Sequence, residues 1–472
     1  MSTKKQILFN ASVQIFGKGL ALLLSLATIA LTTRALGVEY FGYYTTIITF
    51  LSMFGVIADF GLVLVSSKLL SLHAHDEERM LGTLLSVRFI SALIIIGSAP
   101  LIAQLFPYPA EIKYGVGITT LAFIAIAMTQ VTTGLFQKNL TMIKGAFAEI
   151  FSKAIALLGV FLGIYYNTGL FGILAATVVA QCCALAINLY NANRAIRIRL
   201  HFHIPYIKQI FTEALPIGIG IFWNTIYLRG DALILSLIQS QRDVGLYGAA
   251  YRILDIVTQA PILLMGLMVP LLAHAFHERR TVDFDRLLKR SSEFMIITAI
   301  PLIVGCIILS KKIMIILGGK DFAPAGSIAA ILTLALFGGF AGALFGHVNV
   351  AIGRQKNALW IYALVAITSL IGYFIFIPRY STTGAALVTV FSETLAGSLL
   401  AWHVLRFTKT KLHLLPLFGK VCIAASIMGI ALFLTLSLPF VVQIFIALII
   451  YIGAALTLNI ISRDELSMIL KK

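Results

Sequence analysis

Residues 83–106 read TLLSVRFISALIIIGSAPLIAQLF, an apolar run interrupted by one charge, Arg88. A helix needs roughly 20 such residues to cross the hydrocarbon of a bilayer, which is about 30 Å thick, at about 1.5 Å per residue. This run is long enough. Outward from it in both directions, similar runs follow with only short links between them. Fourteen spans are predicted, at 11–33, 42–66, 83–106, 115–137, 146–165, 169–191, 211–239, 246–273, 291–317, 326–352, 357–378, 383–405, 416–437 and 440–461. The expected fold is all-α and integral to the membrane, because a helix satisfies its own backbone hydrogen bonds where water is absent. Composition agrees. Of 472 residues, 60% are hydrophobic and only 12% charged, and a mean hydropathy of +0.98 lies outside the range of soluble domains.

A net charge of +17 brings nucleic acid to mind, but the placement of the charges argues against it. With the N-terminus inside, 24 Lys and Arg residues fall in inside links. Only seven fall outside: Arg34, Lys113, Arg242, Lys311, Lys312, Lys320 and Arg379. Cytoplasmic links are the basic ones in membrane proteins, so both termini are expected in the cytoplasm. The same basic face attracts anionic membrane lipids. Residues 1–10 are polar and basic, but the apolar run after them is too long for a signal-peptide core, so the first span reads as a signal anchor.

Enzymatic classes find little support. No P-loop, HExxH or GxSxG motif is present. The longest outside link, 107–114, is too short to hold a sugar-processing site. Cys182, Cys183, Cys306 and Cys422 lie within spans with no partner at metal-ligand spacing, and read as packing residues. No cofactor is expected.

The chain contains an internal repeat. Residues 41–50 read FGYYTTIITF and residues 244–253 read VGLYGAAYRI, so Gly42 matches Gly245 and Tyr44 matches Tyr247. Gln137-Lys138-Asn139 recurs as Gln355-Lys356-Asn357, and Tyr166-Asn167-Thr168-Gly169 as Tyr380-Ser381-Thr382-Thr383-Gly384. Matches in one order indicate duplication of a six-helix unit, and an even span number makes the halves parallel. The expected domains are an N-lobe at 1–191, a basic cytoplasmic linker at 192–210, a C-lobe at 211–405, and an appended pair of spans with the C-terminus at 406–472.

Asn10, Arg34-Ala35-Leu36-Gly37, Phe41-Gly42-Tyr43-Tyr44 and Ala58-Asp59-Phe60-Gly61-Leu62 resemble the N-terminal pattern of Wzx-type polysaccharide flippases. Val244-Gly245-Leu246-Tyr247 and residues 317–322 resemble the second-half pattern of that group. The superfamily also holds the lipid II flippase MurJ and the MATE multidrug exporters. The resemblance implies two lobes in a V around a cavity that opens alternately to each side. It implies a cargo of undecaprenyl-diphosphate-linked oligosaccharide, carried from inner to outer leaflet of a bacterial plasma membrane for O-antigen, capsule or exopolysaccharide. A glycan polymerase and a chain-length regulator are its implied pathway partners. The rival reading is an ion-coupled multidrug or cation exporter of the same fold.

Charges inside spans are where chemistry is expected, since each costs several kcal/mol at mid-bilayer, about 2.5–3.5 on insertion scales. The cations are Lys18, Arg88, Lys153, Arg229 and Arg252; the acids are Asp59, Glu149, Asp231, Asp255 and Glu393. Arg88 and Lys153 lie close enough to the cytoplasmic span ends to snorkel, and Glu149 and Lys153 are spaced as a helical i,i+4 pair. Arg252 and Asp255 are i,i+3 neighbours. In the superfamily, spans 1, 2, 7 and 8 line the cavity. Lys18, Arg229 and Arg252 are therefore candidate substrate contacts, and Arg88 on span 3 is a fourth. Asp59, Asp231, Asp255 and Glu393 are the candidates for charge pairing or for carrying H+ or Na+. Arginine suits a diphosphate because its planar fork binds phosphate oxygens in pairs. Pro216, Pro261 and Pro270 are expected to kink spans 7 and 8, and Gly338, Gly339, Gly342 and Gly346 to allow close helix approach.

Overall fold

The computed structural model describes residues 3–73, 75–139 and 141–460. Arg463, Lys471 and Lys472 of the inside cations lie outside the described residues, as do the side chains of Lys4, Lys5 and Asn10. In order come α1 (Thr3–Asp59), α2 (Leu62–Leu72), α3 (Glu77–Ser91), α4 (Gly97–Ala103), α5 (Ala110–Lys138), α6 (Met142–Tyr165), α7 (Gly169–Ala195) and α8 (Ile204–Ile238). Then follow α9 (Gln241–Val257), α10 (Gln259–His277), α11 (Thr281–Gly318), α12 (Ala325–Thr333), α13 (Ala335–Ala351), α14 (Leu359–Thr408), α15 (Leu415–Leu434) and α16 (Phe440–Thr457). Between α3 and α4 the helix widens to a π-turn over Ala92–Ile96. Pro100 lies four residues past Ile96 and cannot donate to its carbonyl.

Eleven helical stretches are long and apolar enough to cross a membrane, twelve if the bent pair α12 and α13 counts as one. The sequence suggested fourteen. The difference comes from two stretches, Gly17–Leu72 and Gln355–Thr408, which each contain two predicted spans. A straight helix of 57 residues, the length of α1, would run roughly 85 Å, nearly three times the hydrocarbon thickness. Instead α1 breaks at Gly37, with φ 68 and ψ −178, and α14 breaks at Ser381, with φ 46 and ψ −128. These links are single residues and not the loops that a polar stretch suggests.

The chain divides into two compact units, Met1–Gly248 and Ala249–Lys472. In the first, one apolar cluster gathers Leu69, Met80, Leu84, Val131, Phe136 and Ile210. A second gathers Ile47, Phe50, Ile96, Ile112 and Leu174. The repeat-matched glycines meet here. A Cβ on Gly42 would stand 1.8 Å from the Gln241 carbonyl oxygen, and one on Gly245 would stand 2.0 Å from that of Val38. Neither position has room for a side chain. At one end of this unit, Asp76 accepts from the Tyr206 hydroxyl at 2.7 Å, Glu77 pairs with Lys138 at 2.7 Å, and Lys68 pairs with Glu213. Gly82 leaves space for the Arg199 carbonyl, 2.1 Å from where its Cβ would be.

In the second unit, α13 and α14 approach backbone to backbone. A Cβ on Gly338 would lie 2.4 Å from the Glu393 carbonyl carbon, and one on Gly397 would lie 2.5 Å from the Gly338 oxygen. The close approach expected of the span-10 glycines is thus observed at Gly338. Helices α11, α15 and α16 form a cluster around Leu309, Val421, Met428 and Tyr451. Lys312 on α11 donates to the carbonyls of Leu436 and Leu438 and to Gln443 Oε1, the latter two at 2.9 Å. That ties the α15–α16 link to α11. Large apolar side chains such as Leu64, Leu158, Phe374 and Phe445 are exposed. Such a surface belongs against lipid, and the protein is a multi-pass membrane protein.

Candidate functional site, a buried ion pair on a broken helix

Helix α1 ends at Asp59 because the next two residues leave helical space, Phe60 at φ 46 and Gly61 at φ 85. Glycine adopts this left-handed region without the clash a Cβ brings. The Gly61 N–H turns back to donate to Asp59 Oδ2 at 3.2 Å. Helix α8 presses on the break, two residues beyond Pro216. A Cβ on Gly218 would lie 2.5 Å from the Phe60 carbonyl, and one on Gly61 2.7 Å from the Ala214 oxygen.

Arg88 reaches this break from α3. Its Nη1 is 3.0 Å from Asp59 Oδ1, with the two side chains 1% and 12% exposed. Its Nε donates to the Ala127 carbonyl at 3.1 Å and its Nη2 to Gln130 Oε1 at 2.7 Å. The guanidinium is therefore held on three sides, and its charge is neutralised by a carboxylate placed at the helix end. A cavity of about 430 Å³ opens beside the pair, with Ser52, Gly55, Asp59, Arg88, Phe123 and Gln130 among its walls. A charged pair facing a cavity within a membrane bundle offers an exchangeable partner to an ion or anionic group, which lipid-facing surface cannot do.

Arg88 does not snorkel, contrary to the sequence-based expectation. Helix α3 begins at Glu77, before the predicted start of the span. Arg88 consequently lies about 16 Å along it, and Asp59 supplies the compensation that the interface was expected to supply. Asp59 and Arg88, assigned separately from the sequence, belong to one group. Gln130 was missed, although a lone amide in the middle of a predicted span was a visible signal.

The other candidates are dispersed. Lys18 on α1 is exposed, and Arg229 on α8 is half-buried. Asp231 is fully buried and accepts from the Tyr247 hydroxyl at 2.5 Å. Arg252 and Asp255 on α9 form the expected pair at 3.2 Å, each about a quarter exposed. Glu393 on α14 is half-buried, its Oε2 3.4 Å from where a Gly339 Cβ would stand. Glu149 is exposed and Lys153 half-buried on α6. Among the described residues, no group of His, Cys, Asp and Glu is arranged to hold a metal ion.

Comparison with known proteins places the chain. It is 21% identical over 418 residues to a putative O-antigen transporter of Shigella flexneri, covering 84% of this chain and 97% of that one. Its fold superposes on the lipid II flippase MurJ in an inward closed conformation with a TM-score of 0.77 at 18% identity, covering 95% of this chain and 98% of that one. It also matches a multidrug resistance MATE family transporter of the MOP superfamily, inward-facing, with a TM-score of 0.71 at 13% identity and coverage of 83% and 95%. The family described as polysaccharide biosynthesis protein matches residues 31–326, and the chain belongs to that family.

Proposed function

We propose that the protein is a flippase that moves undecaprenyl-diphosphate-linked oligosaccharide from the inner to the outer leaflet by alternating access, supplying cell-surface polysaccharide. The observation that carries this reading is membership of the polysaccharide biosynthesis family on a MurJ-like fold. The physical problem fits the fold. A diphosphate and a hydrophilic glycan cannot enter hydrocarbon unaided. Cations and hydrogen-bond donors along a protein path replace the water they give up, while the polyprenyl tail stays in lipid. Lys18, Arg229, Arg252 and Arg88 are the proposed donors; Asp59, Asp231, Asp255 and Glu393 balance them and carry the proton or sodium that resets the cycle.

We read the breaks at Gly37 and Ser381, together with the bent α12–α13 pair, as supporting fourteen spans. On this reading spans 1–6 (1–191) and 7–12 (211–405) form two lobes joined by the 192–210 linker, and 406–472 carries the appended pair. The facing of Gly42 and Gly245 supports the repeat. The cation asymmetry supports cytoplasmic termini, and the relatives support a bacterial inner membrane, where a glycan polymerase and a chain-length regulator would act next. A multidrug exporter of the same fold is the alternative, and the family assignment favours the flippase. The deciding experiment is a deletion strain. Lipid-linked glycan should accumulate on the cytoplasmic leaflet and disappear on complementation; unchanged glycan export with lost resistance to cationic drugs would reverse the choice.

A further inference from the structure

A second cavity, of about 290 Å³, lies between α3 and α8 and has a different character. Its walls are Phe60, Leu62, Val87, Ile90, Phe202 and Phe211, with Ile210 and Ala214 behind them. Ser91 is the polar residue on its wall, and that hydroxyl already donates within the protein, lying 3.0 Å from both the Ala58 and Arg88 carbonyls. The groove therefore offers nothing to water or to a headgroup, and an apolar space of this kind takes an apolar chain. Its rim is open: Phe202 is 64% exposed, Phe211 44% and Ile90 40%. Along α8 it runs from Ile207 to Ala214, about 10 Å, or roughly two-thirds of one leaflet's hydrocarbon depth.

Two cations flank the lining residues in the chain, Lys208 between Ile207 and Phe211 and Arg199 three residues before Phe202. Lys208 is exposed, one helical turn before Phe211 and on the same side of α8, and no ion pair holds it among the described residues. Arg199 is held by a 3.9 Å pair with Glu78, at side-chain exposures of 66% and 44%. A pair that open contributes little and leaves the guanidinium available. The neighbouring acids are engaged elsewhere, Asp76 by Arg79 and Tyr206 and Glu213 by Lys68.

We propose that this groove is a binding site for one anionic phospholipid from the leaflet on the linker side, with an acyl chain between α3 and α8 and its phosphate between Lys208 and Arg199. The groove shares no lining residue with the Asp59–Arg88 cavity. A zwitterionic lipid fills the groove equally well but gains less from the cations, each of which favours an anionic headgroup by about fivefold.

The test uses the full-length protein in nanodiscs containing phosphatidylglycerol and phosphatidylethanolamine in equal amounts with identical acyl chains. Retained lipid is counted by native mass spectrometry, and a phosphatidylglycerol carrying a photoreactive acyl chain maps contacts. Retention should favour phosphatidylglycerol, with adducts on peptides containing Phe202 or Phe211. Lys208→Gln with Arg199→Gln should lower the preference about twentyfold, while Lys144→Gln, elsewhere on the basic side, should leave it unchanged. An unchanged preference in the double variant, or adducts confined to other helices, overturns the proposal. Displacement of phosphatidylglycerol by equimolar undecaprenyl phosphate would also overturn it, by making the groove a site for the cargo's tail.

Discussion

Gly42 and Gly245 occupy matched positions of the internal repeat and press their backbones together, each with a carbonyl oxygen within 2.0 Å of where its side chain would begin. Glycine at both positions is what lets the two backbones approach this closely. Gly42→Ala or Gly245→Ala should force the two helices apart, at a cost of about 1–3 kcal/mol, the usual range for overpacking. Gly97→Ala, where nothing lies within 4 Å, is the control. Thermal unfolding of the detergent-purified protein checks this: either of the first two variants should melt well below wild type, and the third should not.

The Asp59–Arg88 pair makes a different demand. Arg88→Met leaves a buried carboxylate without its cation, and removing one partner of such a pair costs about 3–5 kcal/mol. Arg88→Met combined with Asp59→Leu removes both charges, and should melt above either single variant. A double variant no more stable than Arg88→Met would show that the contacts to Ala127 and Gln130, and not the ion pair, dominate.

Arg252 and Asp255 distinguish packing from transport. If their pairing is only structural, Arg252→Gln with Asp255→Asn leaves neither charge unpaired and preserves function. If instead they contact the cargo, the outcome differs. The double variant should insert and purify normally yet lose glycan export, while Arg252→Lys keeps part of it through its point charge. Surface polysaccharide of a complemented deletion strain is the readout, and normal export in the double variant would assign the pair to packing.

Lys312 gives its ammonium protons to two carbonyls and the Gln443 amide. Lys312→Met should free the α15–α16 link while leaving the cluster around Met428 intact. Hydrogen exchange should accelerate over residues 435–443 and remain slow over 421–432.

Orientation is checked at the linker. A cysteine at Arg197, in a background with the four native cysteines replaced, should resist a membrane-impermeant thiol reagent in intact cells and react after permeabilisation. Labelling of intact cells would invert the topology.

How much of this was legible in the sequence depends on the distance over which each interaction acts. The helices were readable because hydropathy is a local property, and so was the Arg252–Asp255 pair, whose members are one turn apart. Gly42 and Gly245 were recognisable as equivalents, but nothing in a linear repeat says that equivalents touch. Asp59 and Arg88 were both conspicuous as charges in apolar runs, yet their partnership depends on where α3 starts and where α1 breaks. A positive φ at Phe60 and Ser381 has no residue signature, since neither is glycine or asparagine. The groove between α3 and α8 was invisible for the same reason: it is a space between elements.

The break at Phe60–Gly61 has a mechanical consequence. Asp59 sits immediately beside it, so in any swing of α2 about this point the acid is at the fulcrum and the far end of α2 is at the tip of the lever. Lys68, paired there with Glu213, lies about 10 Å along the arm, and a rotation of about 15° carries it nearly 3 Å while Asp59 hardly moves. The deep ion pair can persist through such a stroke as a bearing. The outer pair, on the arm, is the contact that such a swing would stretch first.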